Sequence, residues 1–211
     1  MVELLPPTRE GVRRAAEIIA EGGVVIYPTD TVYGIGCCVF NEKAVERVFE
    51  IKQREAKPMP VLCSSLEDVS KVGYVDERLY RLALALWPGA VSIVVEKTPE
   101  LPSRVTAGLG KVAVRIPAHL VPLEIIRQAQ TPIVGTSANI SNQPPAVRHG
   151  EVNKALLEKA DALVTGGEAY SGTASTVIEA AEGDRVYVVR EGALRRPELD
   201  KRLKAAGFTI A

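Results

Sequence analysis

The sequence predicts an α+β (mixed α/β) domain in which a twisted, mixed β-sheet is flanked by helices. Amphipathic helical segments alternate along the chain with short apolar runs, as expected when helices cover a sheet. Two of those runs, 91–95 and 112–116, follow one another with no helical pattern between them. Parallel neighbours need a long crossover, so this sheet is mixed rather than wholly parallel. The chain has 211 residues, 46% hydrophobic and 25% charged, enough for one large domain with a substantial core. We therefore expect residues 1–211 to form a single domain with no further C-terminal domain.

Each element has a local cause. Thr8 caps a helix reaching about Glu21, with Val12, Ala15, Ala16 and Ile19 as its apolar stripe and Gly22-Gly23 as its stop. A strand at 24–27 follows at once. Asn41 caps a second helix whose Ala44, Val45, Val48 and Ile51 face inward, with Lys52 and Arg54 at or just beyond its end. Residues 61–63 read as a strand, and Ser64 with Glu67 as a capping box that opens a short helix. Asp76 starts a helix with Leu79, Leu82, Ala83 and Leu86 on one face, broken at Pro88-Gly89, and Trp87 reads as a core anchor. The strands at 91–95 and 112–116 lead to a helix over 122–130 with Pro122 at its first position. A strand at 133–134, a helix near 152–159 and strands at 162–164, 176–178 and 186–189 follow. Pro197 opens the last helix and Gly207 ends it.

Composition excludes several classes. The formal net charge is zero, so nucleic acid would need a local basic patch rather than a global pull. The first residues lack a basic region followed by a long apolar core, and no apolar run reaches membrane-spanning length, which makes a cytoplasmic location the expectation. Cys37, Cys38 and Cys63 are odd in number and two are adjacent, a poor arrangement for pairing, so we expect buried, reduced thiols. His119 and His149 show no ligand spacing, and no protein metal site is expected.

Three polar segments flank apolar strands. Pro28-Thr29-Asp30-Thr31-Val32-Tyr33-Gly34 follows Val24-Val25-Ile26-Tyr27. Thr136-Ser137-Ala138-Asn139-Ile140-Ser141 follows Pro132-Ile133-Val134-Gly135, and Ser171-Gly172-Thr173-Ala174-Ser175-Thr176 precedes Val177-Ile178. Loops at the carboxyl ends of strands are where open sheets collect ligands. The alternative for each is a turn whose hydroxyls satisfy their own backbone.

With these segments and three more, Lys52-Gln53-Arg54 with Lys57-Pro58, Trp87-Pro88-Gly89 and Val112-Ala113-Val114-Arg115-Ile116-Pro117, the chain resembles the YrdC-like family of L-threonylcarbamoyladenylate synthases over roughly residues 8 to 195. The resemblance implies a concave ligand face on the mixed sheet. It also implies a reaction in which L-threonine, bicarbonate and ATP give threonylcarbamoyl-AMP and pyrophosphate, for a downstream transferase that modifies adenosine 37 of certain tRNAs. Carried over by motif position, Thr31, Tyr33, Arg115 and Ser175 bind threonine, while Lys52, Arg54, Ser137, Asn139 and Arg190 bind the nucleotide. No single catalytic residue is implied. Magnesium is expected on the phosphates, held mainly by nucleotide oxygens and water. Glu55 stands where many relatives have proline after the Lys-x-Arg unit, and Leu62 or Cys63 where many have histidine. Two other classes stay open: an RNA-binding module of the same fold, and a carbamoyladenylate enzyme with a different acceptor.

For Arg115 the residues themselves allow two placements. Alternation puts Val112 and Val114 on one face and Arg115 on the other, either as a sheet-edge surface charge or as a carboxylate ligand. For Lys52 and Arg54 the alternative to a phosphate clamp is a helix C-terminus favoured by cations.

Overall fold

A computed structural model describes residues 1–53, 57–141, 143–167, 169 and 171–211. The expected mixed sheet is resolved into two. The five-stranded sheet contains β1 (Glu3–Leu5), β2 (Val25–Tyr27), β3 (Gly34–Gly36), β8 (Thr136–Ser137) and β9 (Ala162–Val164), in the order β1-β9-β2-β3-β8. The seven-stranded sheet contains β4 (Val61–Leu62), β5 (Val91–Glu96), β6 (Lys111–Arg115), β7 (Ile133–Val134), β10 (Thr176–Ala180), β11 (Arg185–Arg190) and β12 (Thr209–Ile210), in the order β12-β11-β10-β5-β6-β4-β7. Both are mixed: β2 runs antiparallel to β3 and parallel to β9, and β5 antiparallel to β6 and parallel to β10.

The helices are α1 (Arg9–Ala20), α2 (Glu42–Lys52), α3 (Leu66–Ser70), α4 (Glu77–Leu86), α5 (Leu120–Ala129), α6 (Lys154–Leu157) and α7 (Arg196–Ala205). Caps set most of their starts. Thr8 accepts from Gly11 N at 3.3 Å, Asn41 from Ala44 N at 3.1 Å and Asp76 from Leu79 N at 2.7 Å. Two starts differ from the sequence expectation. The cap of α3 is Ser65, which accepts from Asp68 N at 3.2 Å, and the Asp68 carboxylate reaches back to Ser64 N at 3.1 Å. The box is thus displaced by one residue, with aspartate replacing glutamate. The helix α5 begins two residues before Pro122, because His119 Nδ1 accepts from Val121 N at 3.2 Å and proline is tolerated within a first turn. The helix expected at 152–159 shrinks to a 3₁₀ turn, His149–Glu151, and the single turn α6 capped by Asn153.

The strand β2 shows why its sequence is an unbroken apolar run. Val24 and Ile26 enter the large core together with Tyr33 and Ile35, while Val25 and Tyr27 enter a second core with Ile19, Ile125 and Ile126 of the α1 and α5 helices. A strand covered on both faces needs no polar alternation.

The two sheets meet along residues 133–137. The strands β7 and β8 are separated only by Gly135 yet belong to different sheets. Val134 N donates to Cys37 O at 2.9 Å and Tyr27 Oη to Val134 O at 2.9 Å. A Cβ on Gly36 would lie 2.0 Å from Val134 O, and one on Gly135 would lie 2.2 Å from Leu62 Cγ. The seam closes only because both positions lack a side chain. It carries the loops after β2 and β8 to the same place.

Candidate functional site

In the loop after β2, one hydroxyl serves the backbone and the next two polar groups do not. Thr29 Oγ1 donates to Val32 O at 2.7 Å and accepts from Thr31 N at 3.1 Å, which is the turn chemistry the sequence left open. Asp30 and Thr31 turn instead toward Arg115. As the last residue of β6, Arg115 points away from the core-facing Val112 and Val114, but it meets other protein rather than water and is 4% exposed. Its Nε donates to Gly89 O at 2.8 Å, Nη1 to Thr31 Oγ1 at 3.0 Å and Nη2 to the Asp30 carboxylate. Burial pulls the guanidinium below its ordinary pKa, and the Asp30 charge opposes that pull. The surface placement of Arg115 is excluded.

Ser175 lies on the same floor. Its Oγ meets Ser92 Oγ at 2.9 Å, Thr176 N donates to Ala90 O at 3.0 Å, and Gly172 N donates to Thr31 O at 2.9 Å. The segment from Gly89 to Ser92 therefore contacts both Arg115 and Ser175. Arg190 is tied here too, donating from Nη2 to Ser175 O at 2.9 Å. Tyr33 is fully buried, and its Oη lies 2.8 Å from Gly166 O and 2.9 Å from Gly167 O. Burial pushes the phenol up to about 12, so it stays a proton donor to that turn. Both glycines have φ above 70°, a region closed to most side chains.

A second cluster surrounds Lys52, the last residue of α2, which is 1% exposed. Its ammonium donates to Ser137 O, to Asn139 O at 2.8 Å and to Asn139 Oδ1 at 3.4 Å. Ser137 Oγ also donates to Asn139 Oδ1, and Ser141 N donates to Lys52 O at 3.1 Å. Three of the acceptors around this ammonium thus come from Ser137 and Asn139. In this arrangement Lys52 anchors the 136–141 loop, which carries Ser137 and Asn139. Arg54, expected beside it, lies outside the described residues. The clusters are joined through Ala138 N, which donates to Tyr33 O at 2.7 Å.

The structure thus brings Thr31, Arg115 and Ser175 together, with Arg190 on the Ser175 side, and separately Lys52, Ser137 and Asn139, with Tyr33 between. Sequence reasoning gave no role to Asp30, Gly89 or Ser92. Asp30 stood inside the quoted motif and Gly89 inside another, whereas nothing local marked Ser92. Cys37 and Cys63 are buried free thiols pushed up by burial, and Cys38 is a half-buried free thiol. Among the described residues no group of three or more His, Cys, Asp or Glu could hold a metal ion. Among them, too, no helix is long and apolar enough to cross a membrane.

Two mixed sheets whose seam presents a buried arginine–aspartate pair beside a lysine-anchored loop form the candidate site. A family model described as "Telomere recombination", covering Sua5, YciO and YrdC, matches residues 17–192, and the chain belongs to that family. It is 38% identical over 192 residues to threonylcarbamoyl-AMP synthase of Pyrococcus abyssi, covering 90% of this chain and 56% of the relative. The corresponding enzyme of Bacillus subtilis is 34% identical over 194 residues, covering 90% of this chain and 55% of the relative. The chain thus spans about half the length of these curated relatives. Among solved structures, P. abyssi Sua5 complexed with L-threonine superposes with a TM-score of 0.90 at 34% identity over 100% of this chain and 62% of that one. E. coli YciO superposes at 0.80 with 25% identity, over 91% and 95%.

Proposed function

We propose that this chain is a threonylcarbamoyl-AMP synthase, acting on L-threonine, bicarbonate and ATP and releasing pyrophosphate. The observation that carries the reading is Arg115, a buried guanidinium with five N–H donors of which its three protein acceptors occupy three. Two donors are left for a planar carboxylate. The likeness of the whole chain to a Sua5 bound to L-threonine supports the same assignment.

Under this reading the threonine amine condenses with bicarbonate, losing water, and the carbamate oxygen attacks the α-phosphorus of ATP while pyrophosphate leaves. Arg115 holds the amino-acid carboxylate; Thr31 and Ser175 line its site, and Tyr33 braces the Gly166-Gly167 wall. Ser137, Asn139, Arg190 and Arg54 bind the nucleotide, and Lys52 acts by shaping the loop that carries Ser137 and Asn139. The residues contribute orientation, phosphate neutralisation and exclusion of water from a labile carbamate. A magnesium ion accompanying the nucleotide would be held mainly by phosphate oxygens and water and would neutralise phosphate charge. The product passes to a transferase acting on tRNA adenosine 37, in the cytoplasm.

Pyrophosphate release tests the assignment. It is expected only when ATP, bicarbonate and threonine are all present, with serine a poorer substrate by about 1–3 kcal/mol for the missing methyl. Equal turnover with and without an amino acid overturns the reading.

A further inference from the structure

The carboxylate of Asp30 is the feature of the site for which the reaction scheme above has no use. It is 9% exposed, and its partner Arg115 is 5% exposed at the side chain, so the two charges neutralise each other out of water. Apart from Arg190, whose guanidinium is held by Ser175 O at 2.9 Å, the described groups that bond to the pair or to its partners are uncharged. Thr29 and Thr31 present hydroxyls, and Ser92 and Ser175 present two more. His119 lies close enough to feel the Asp30 charge. Burial holds it below its usual pKa against that pull, and its Nδ1 accepts a backbone N–H, so it is neutral at pH 7.

A ligand that brought only a carboxylate to Arg115 would leave two anions facing one cation in a poorly solvated place, which is strongly disfavoured. A ligand carrying a carboxylate and a cation on adjacent atoms balances the site. We propose that Asp30 binds the α-ammonium of the amino acid, and that the Asp30–Arg115 pair selects a zwitterionic α-amino acid over the matching carboxylic acid. This rests on the synthase reading and adds to it the residue that recognises the amine end. It also separates Asp30 from a purely structural brace of Arg115. A brace affects every carboxylate ligand alike, whereas an ammonium site affects the ratio between two ligands.

The experiment is calorimetric titration of L-threonine and of (R)-3-hydroxybutyrate, which is threonine without its ammonium, into the wild-type chain and into Asp30→Asn. Asparagine keeps an oxygen for Arg115 and removes the charge. The wild type is expected to bind (R)-3-hydroxybutyrate roughly 10- to 100-fold more weakly than threonine, the worth of one charged hydrogen bond. Folded D30N is expected to lose most of that preference, its threonine affinity falling toward that of the hydroxy acid. Equal wild-type affinities, or a folded D30N that keeps the wild-type ratio, overturns the assignment while leaving the synthase reading intact. A wild-type chain that binds neither compound and forms no pyrophosphate overturns both. Should D30N not fold, the wild-type pair still decides, since a preference of about tenfold or more supports the proposal and equal affinities refute it.

Discussion

Arg115 and Lys52 are both cations that lie almost wholly out of water, and they are used in opposite ways. The acceptors of Arg115 come from three separate positions, Gly89, Asp30 and Thr31, and leave part of its donor set unspent. For Lys52, Ser137 O, Asn139 O and Asn139 Oδ1 all belong to a single loop. A guanidinium can join protein segments and still read a ligand, because its five donors point in a fixed fork. Under the proposed function, this difference corresponds to ligand recognition on the Arg115 side and loop shaping on the Lys52 side.

Replacing Arg115 is expected to break the first half of this comparison with the largest effect. Arg115→Ala should weaken threonine binding by about 2–5 kcal/mol, the range for truncating one partner of a buried charge pair. It should also lower stability, since Asp30 is left buried and unpaired. ATP affinity should change little, so parallel titrations with threonine and ATP check the assignment. A folded variant with unaltered threonine affinity would refute it.

Lys52→Ala tests the second half. A cation at an exposed helix end contributes only about 0.3–1 kcal/mol, whereas removing the donor to buried carbonyls costs about 1–3 kcal/mol for each group left unsatisfied. The buried placement therefore predicts a clear drop in melting temperature together with loss of ATP binding. A normal melting curve with lost ATP affinity would instead favour a direct phosphate contact.

A smaller effect is expected at Ser92. Ser92→Ala removes the neutral partner of Ser175 Oγ and should weaken threonine binding by about 1 kcal/mol with ATP affinity unchanged. Equal losses for both ligands would show that the change propagates through the strand rather than through Ser175.

The least effect belongs to a pair outside both clusters. Burial alone would raise the Asp161 pKa, but hydrogen bonds from Arg47 and from Val24 N outweigh it and hold the value below the ordinary one. A depressed carboxylate pKa stabilises the fold above its unfolded value of about 3.9 and stops doing so as pH falls through the folded value. Asp161→Asn should therefore destabilise at pH 7 and converge with the wild type in acid, once pH has fallen below the depressed pKa of the folded carboxylate. The pair is about two-fifths exposed, so solvent screening keeps the effect under about 1 kcal/mol. Denaturation at the two pH values measures it.

Much of this arrangement was legible before any coordinates. Thr8, Asn41 and Asp76 cap their helices because a side-chain oxygen meets a backbone donor two or three residues away, a relation confined to neighbours in sequence. The short strands β4 and β7 are legible as apolar runs, whereas β1, β3, β8 and β12 mix polar residues or glycine into two or three positions, and in Gly34–Gly36 the glycines that permit the seam also erase the apolar signal. Asp30 was in view as a letter in a motif but without a role, since its partner lies 85 residues away.

By itself the sequence determined the mixed architecture, the helix caps, the polar segments flanking the strands and the motif set that points to the family, because each depends on periodicity or on residues close together in the chain. Only the tertiary structure decided that there are two sheets rather than one, that Arg115 is buried against Asp30, that Lys52 meets the 136–141 loop and that Ser92 stands behind Ser175. Those outcomes depend on burial and on which donors meet which acceptors across 80 or more residues, and such distances leave no periodic trace in the chain.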